Sequence, residues 1–348
     1  MTKILEIRDR MIRFYGKYET YLFPVVKFIL AFLIFSTINA NIGYMERIST
    51  LTVALVLSLV CAVFPVYAMI WFVVLIVLAD LYALSLEAAV TALVLFAVLL
   101  LVYFRFSPKD GIAALLTPVC FHFHIPYVMP LVTGLLREVY SVIAVVCGTV
   151  IYFFLDGIKR NEGALVAVET GEEAVSSKFS ICVGQIVNNK EMYLVLAIFV
   201  VTATVVYVVR RLEVDHAWTL AIISGVLIEL AGLFVGYLVL NISQKTLWLL
   251  IGNLISLLIA FLLEFLFMNL DYDRTERVQF EDDEYYYYVK AVPKKLVATR
   301  EVKVKHFGNT SNMGRRIERT KQTLNDEQEA TSRKVIAREL DIDENLLK

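Results

Sequence analysis

Glycine, proline, cysteine and catalytic motifs are all scarce in this chain of 348 residues, and each scarcity excludes something. Its 15 glycines and 7 prolines rule out a collagen-like or low-complexity fibrous chain. The four cysteines, Cys61, Cys120, Cys147 and Cys182, show no CxxC spacing, so no disulfide framework is expected. Three of them lie in apolar segments and read as buried free thiols. No Walker sequence, GxSxG, HExxH or strand-linked GxGxxG occurs, so no enzyme, no cofactor and no built-in ATPase is expected. A net charge of −1 gives no surplus for nucleic acid, and none is expected as a partner.

What is abundant is apolar sequence. Hydrophobic residues make up 59% of the chain, and the mean hydropathy is +0.68. A soluble domain is nearer about 45–50% apolar. The apolar mass precedes residue 270, and the tail after it carries charges of both signs in near balance. The expected class is an all-α polytopic membrane protein with a small α+β soluble C-terminal tail.

A membrane-spanning helix needs about 20 mostly apolar residues. Segments 21–39, 86–103, 140–155, 192–209, 217–240 and 247–268 qualify, and Pro65 divides 51–84 into two more. The expectation is about eight spans in a helical domain over 21–270, and a bilayer as partner. Residues 1–20 lack a signal-peptide pattern and repeat Ile4, Ile7, Met11 and Tyr18 among basic residues. They form either an interfacial amphipathic helix or the charged start of a long first helix. In the extramembrane loop 156–191, Val175, Phe179, Cys182 and Ile186 fall at helical spacing and predict a surface-lying amphipathic helix.

Segment 111–136 stands apart. Pro118, Pro126 and Pro130 interrupt it, and His122 and His124 sit between them. Proline removes a backbone donor and imidazole is costly in hydrocarbon. Such a stretch survives at membrane depth only where protein or a water-filled cavity shelters it. It is predicted to break into a re-entrant hairpin that enters and leaves on one side. Basic residues near the span ends then put both termini in the cytoplasm of a cell-membrane protein. Two histidines without a nearby carboxylate make a poor metal site, and no metal is expected. Arg137 and Glu138, just beyond, read as an interfacial ion pair.

Glu229 is the second intramembrane oddity. Gly225, Glu229, Gly232 and Gly236 share one helix face, and Gly232–Gly236 is a GxxxG pattern suited to close helix packing. Asn253 and Ser256 of the following span face the same level, and Ser256 is the expected hydrogen-bond partner of Glu229. An intramembrane carboxylate fits a proton or cation site, or a protonated group bonding two helices together. Lys27 is expected to snorkel from the first span.

The tail, 271–348, is predicted to hold a β-hairpin over 276–307, a linker and a C-terminal helix over 326–347. The tyrosine run 285–288 forms one strand, Pro293-Lys294-Lys295 the turn, and 296–305 the other strand. Two strands alone are marginally stable, so the hairpin is expected to meet a partner or a second copy of itself. Two functions fit these features. One is a permease-like component of a transport system, with the broken segment and Glu229 along the pathway. The other is a non-catalytic membrane platform for cell-envelope or membrane-complex assembly, with the tail recruiting partners.

Overall fold

The computed structural model describes residues 2–166, 172–242, 246–268, 276–282 and 284–291. The expected linker, the C-terminal helix and the strand over 296–305 lie outside these residues. The described chain is mostly helical: α1 (Thr2–Ile42), α2 (Leu51–Val63), α3 (Val66–Leu84), α4 (Leu86–Phe106), α5 (Gly111–His122), α6 (Val128–Leu136), α7 (Val142–Arg160), α8 (Glu162–Val166), α9 (Glu172–Val187), α10 (Lys190–Arg210), α11 (Ala217–Val239) and α12 (Thr246–Phe267). The strands β1 (Glu276–Glu281) and β2 (Tyr286–Ala291) follow.

Seven helical stretches, in α1, α3, α4, α7, α10, α11 and α12, are long and apolar enough to cross a membrane. Their exposed faces carry Leu, Val, Ile and Phe, as lipid-facing surfaces do. The eighth expected span, α2, has only 13 residues. At about 1.5 Å per residue its helix is shorter than a hydrocarbon core of about 30 Å, yet it carries the chain from the Met45–Asp80 end to the Val66–Gly111 end, so the chain still changes sides along it. Thr50 caps its start through the Val53 amide, and Pro65 forces extended backbone at its end. Lys27 does not snorkel: it is buried, and its ammonium donates to the carbonyl of Phe64 at 2.9 Å, in the break between α2 and α3. A free carbonyl at a helix break is a strong acceptor, and meeting it outweighs reaching for the surface.

The charged leader and the first span are two helical stretches that meet at a kink at Tyr18, whose backbone is non-helical. The helix expected over Val175–Ile186 is α9. It packs on α4 and α7, with Cys182 buried and Gln185 against Gly157. All four cysteines are buried and unpaired.

Segment 111–136 is broken as the prolines require, though not where each one lies. Pro118 sits inside α5, and Pro130 sits in the first turn of α6, where no intrahelical donor is needed. Pro126 alone occupies the turn between them. His124 takes left-handed backbone there, with φ 60°, and Ile125 donates back to the Cys120 carbonyl at 2.9 Å.

The described strands occupy the first part of the expected hairpin range, 276–307. β1 and β2 are antiparallel, with Glu276 opposite Ala291 and Glu281 opposite Tyr286. An observed turn precedes the tyrosines; the expected turn at Pro293-Lys294-Lys295 lies outside the described residues. The Asp282 carboxylate accepts from the amides of Glu284 and Tyr285 at 3.0 and 2.7 Å, a local turn that an aspartate forms readily. The tyrosine-rich strand is exposed on the hairpin.

Candidate functional site: a helical hairpin between two half-bundles

The hairpin α5–α6 stands with both feet at one end of the bundle. Asp110 begins α5 and Arg137 ends α6, and Arg137 Nε lies 3.2 Å from Asp110 Oδ1. Asp110 is buried, and its other oxygen accepts from Ser107 at 2.9 Å and Ser141 at 2.6 Å. Arg210 of α10 donates to the carbonyls of Leu135 and Arg137, covering the open end of α6. The pair expected between Arg137 and Glu138 is not made. Glu138 accepts from Tyr207 at 2.9 Å, and Arg137 turns to the buried carboxylate, which holds the stronger field.

The tip reaches the opposite end. His122 Nδ1 lies 2.9 Å from Asn41 Nδ2 at the end of α1, and Lys159 at the end of α7 donates to Asn41 Oδ1 at 3.2 Å. The His124 ring packs on Trp248 near the start of α12, with centroids 4.6 Å apart.

Glycines seat the hairpin. A Cβ on Gly148 of α7 would lie 2.6 Å from the Ala114 carbonyl and 2.7 Å from Thr117. One on Gly252 of α12 would lie 2.6 Å from the His124 carbonyl. Both contacts are with backbone, so neither helix tolerates a side chain where the hairpin passes.

The two arms belong to different surroundings. Helix α5 packs on α1, α3 and α7, while α6 packs on α10, α11 and α12 and also touches α7, which the two arms share. On the α5 side a cavity of about 250 Å³ opens between α1, α3, α5 and α7. Its walls include Ile34, Ile38, Val73, Leu115, Val119 and Ile151, and its polar end carries Asn41, His122, His124, Asp156 and Lys159.

On the α6 side Glu229 is wholly buried, and neither of its oxygens meets a donor among the described residues. Asn253 Oδ1 and Thr202 Oγ1 are likewise buried and unmet. The bond expected from Ser256 is not made. The Ser256 hydroxyl donates to the Gly252 carbonyl of its own helix at 2.8 Å, the usual fate of a buried helical serine. Asn253 similarly donates to Leu249 at 3.1 Å. Gly225, Gly232 and Gly236 do bring α11 close to α10: added Cβ atoms would strike Val206, Ile198 and Leu194 in turn.

The expected site residues therefore fall into two groups. His122 and His124 line the cavity; Glu229, Asn253 and Ser256 lie outside its walls. Sequence reasoning missed Asn41, Lys159 and Asp110. Asn41 is 81 residues from His122 and 118 from Lys159, so no local pattern links them. No family model, curated protein or solved structure matches the chain.

Proposed function

We propose that this multi-pass membrane protein is a permease-like component of a transport system that draws its energy from outside the chain, resident in the cell membrane with both termini cytoplasmic. The supporting observation is the helical hairpin, read as re-entrant: two feet tied by Asp110 and Arg137, and a histidine-bearing tip beside an open cavity. Irregular backbone at membrane depth is characteristic of segments that line a cavity or pathway, and broken helices recur at transporter binding sites. The missing nucleotide motifs leave an ion gradient or a separate motor subunit as the energy source.

A second reading, a non-catalytic membrane platform, draws support from Glu229. A carboxyl sealed between packed helices, apart from the cavity, suits a structural role better than an ion path. Exposed tyrosines on β2 would then offer a docking strand to an assembly partner.

Purification from the native membrane in mild detergent separates the two. A stoichiometric nucleotide-hydrolysing subunit, with its hydrolysis altered by His124→Ala, is the result expected of a permease. A stable complex holding only envelope-assembly proteins, with no motor, would overturn the transport reading in favour of the platform.

A further inference from the structure

We propose that the cavity between α1, α3, α5 and α7 binds a single-chain amphiphile with an anionic head, its carboxylate or phosphate at Lys159 and His122 and its chain along the apolar walls. The hydrogen bonds at the polar end decide the sign of the head. Asn41 is fully committed: its amide nitrogen serves the Thr37 carbonyl at 2.8 Å and His122 Nδ1 at 2.9 Å, and its oxygen accepts from Lys159 at 3.2 Å. That orientation makes His122 Nδ1 an acceptor, so its Nε2 carries the hydrogen. Asp156, the one carboxylate lining the cavity, lies 2.5 Å from Arg160 and is already neutralised. The Lys159 ammonium and the His122 Nε2–H therefore present donors and a positive charge, and no described carboxylate pairs with Lys159. An anionic head completes this end; a cationic one meets repulsion.

The remaining walls are aliphatic, contributed by four helices. A volume of about 250 Å³ is roughly eight times the ~30 Å³ share of one liquid water. That matches the upper part of one chain. A diacyl lipid needs room for two.

As cargo of a permease this ligand rests on the reading above; as a bound ligand it does not. The test uses the full chain in nanodiscs of zwitterionic lipid, with a photoreactive diazirine fatty acid as the probe. The expected result is saturable labelling of peptides from α1, α5 and α7, competed by excess fatty acid or alkyl phosphate. Whichever competes better names the head group. An uncharged monoacylglycerol or an alkylamine should compete poorly. Ala114→Phe, which fills the bore, should abolish the labelling. Lys159→Glu, an exposed change that spares the fold, should weaken it about tenfold, the scale of one charge-assisted contact.

Labelling spread over all lipid-facing helices and insensitive to both variants would mean annular lipid only and overturn the proposal. Labelling confined to the cavity but competed equally by the monoacylglycerol would overturn the anionic head. Neither outcome touches the search for a motor subunit, and absence of a motor would leave binding here unaffected.

Discussion

The two half-bundles flanking the hairpin treat their polar groups in opposite ways. Around α5 the polar side chains sit at a helix end, bonded to one another and reaching solvent. Asn41, His122 and Lys159 satisfy each other across three helices and leave a cavity beneath them. Around α6 they sit in mid-helix, and among the described residues the Glu229 oxygens, Asn253 Oδ1 and Thr202 Oγ1 meet no partner, while three glycines draw α10 and α11 together. One half is built with space and satisfied polarity, the other with density and unsatisfied polarity. Space invites a ligand. Unmet buried polarity lowers stability, and is retained only where it serves something else or where an unseen water meets it.

Substitutions at the hairpin seat should break this comparison most severely. Gly252→Val and Gly148→Val drive a branched side chain into the carbonyls of His124 and Ala114. Overpacking against backbone costs about 1–3 kcal/mol or more, so both variants should lose their cooperative thermal transition or shift it strongly downward. Gly163→Val, where no atom lies within 4 Å of the added Cβ, is the silent control. Equal melting for all three would mean that the hairpin does not rest on these helices.

Asp110→Ala should rank next. It removes the carboxylate that holds Ser107, Ser141 and Arg137. Hydrogen bonds to a charged group contribute roughly 1.5–3 kcal/mol each, but Arg137 is half exposed and can turn to water, so a net loss of about 3 kcal/mol is expected. Chemical denaturation in mixed micelles reads it. An unchanged midpoint would leave the hairpin feet without their proposed tie.

Glu229→Met sharpens the contrast in the opposite direction. Replacing a buried, unpartnered carboxyl by an apolar side chain of similar size should stabilise the α6 half by roughly 1–3 kcal/mol. The same helices should unfold at higher temperature while amphiphile binding in the other half stays as it was. Destabilisation would show that Glu229 has a partner, most simply a trapped water.

The smallest effect belongs to the tail hairpin. The amides of Glu284 and Tyr285 and the Tyr287 hydroxyl hold the Asp282 carboxyl below its usual range. A lowered folded-state value means that its contribution is full above the ordinary aspartate range. It is lost as pH falls through the depressed value. Protection of the Tyr285 amide, relative to its intrinsic exchange rate at each pH, should therefore fall in acid and should be lost at neutral pH in Asp282→Ala. Exchange indifferent to both would remove the Asp282 turn.

Much of this fold can be read from residue order, and the rest cannot for stated reasons. Pro65 marks the α2–α3 break, and the Pro126 region marks the hairpin turn, because proline acts on its own neighbours. Pro118 misleads because a proline with a packed helix beside it is tolerated: Gly148 of α7 lies against it. The short reach of α2 follows from a cap and a stop thirteen residues apart, which hydropathy over a combined stretch conceals. The tyrosine strand was legible from its composition, but its pairing with residues 276–281 was not, since the Asp282 turn is no stronger a local signal than Pro293-Lys294-Lys295, which lies outside the described residues. The site residues divide similarly. His122 is conspicuous as an imidazole in an apolar run. Its partners Asn41 and Lys159 look like ordinary helix-end residues until the fold brings them together.

Same-end entry of the hairpin is most directly tested by paired accessibility in sealed vesicles. With the four buried cysteines replaced, single cysteines at the exposed positions Lys109 and Glu138 flank the two feet, and one at Gly163 marks the opposite end. An impermeant thiol reagent should label the first two from the same face of the membrane and the third from the other face. Labelling of Lys109→Cys and Glu138→Cys from opposite faces would make residues 111–136 a crossing and contradict the hairpin.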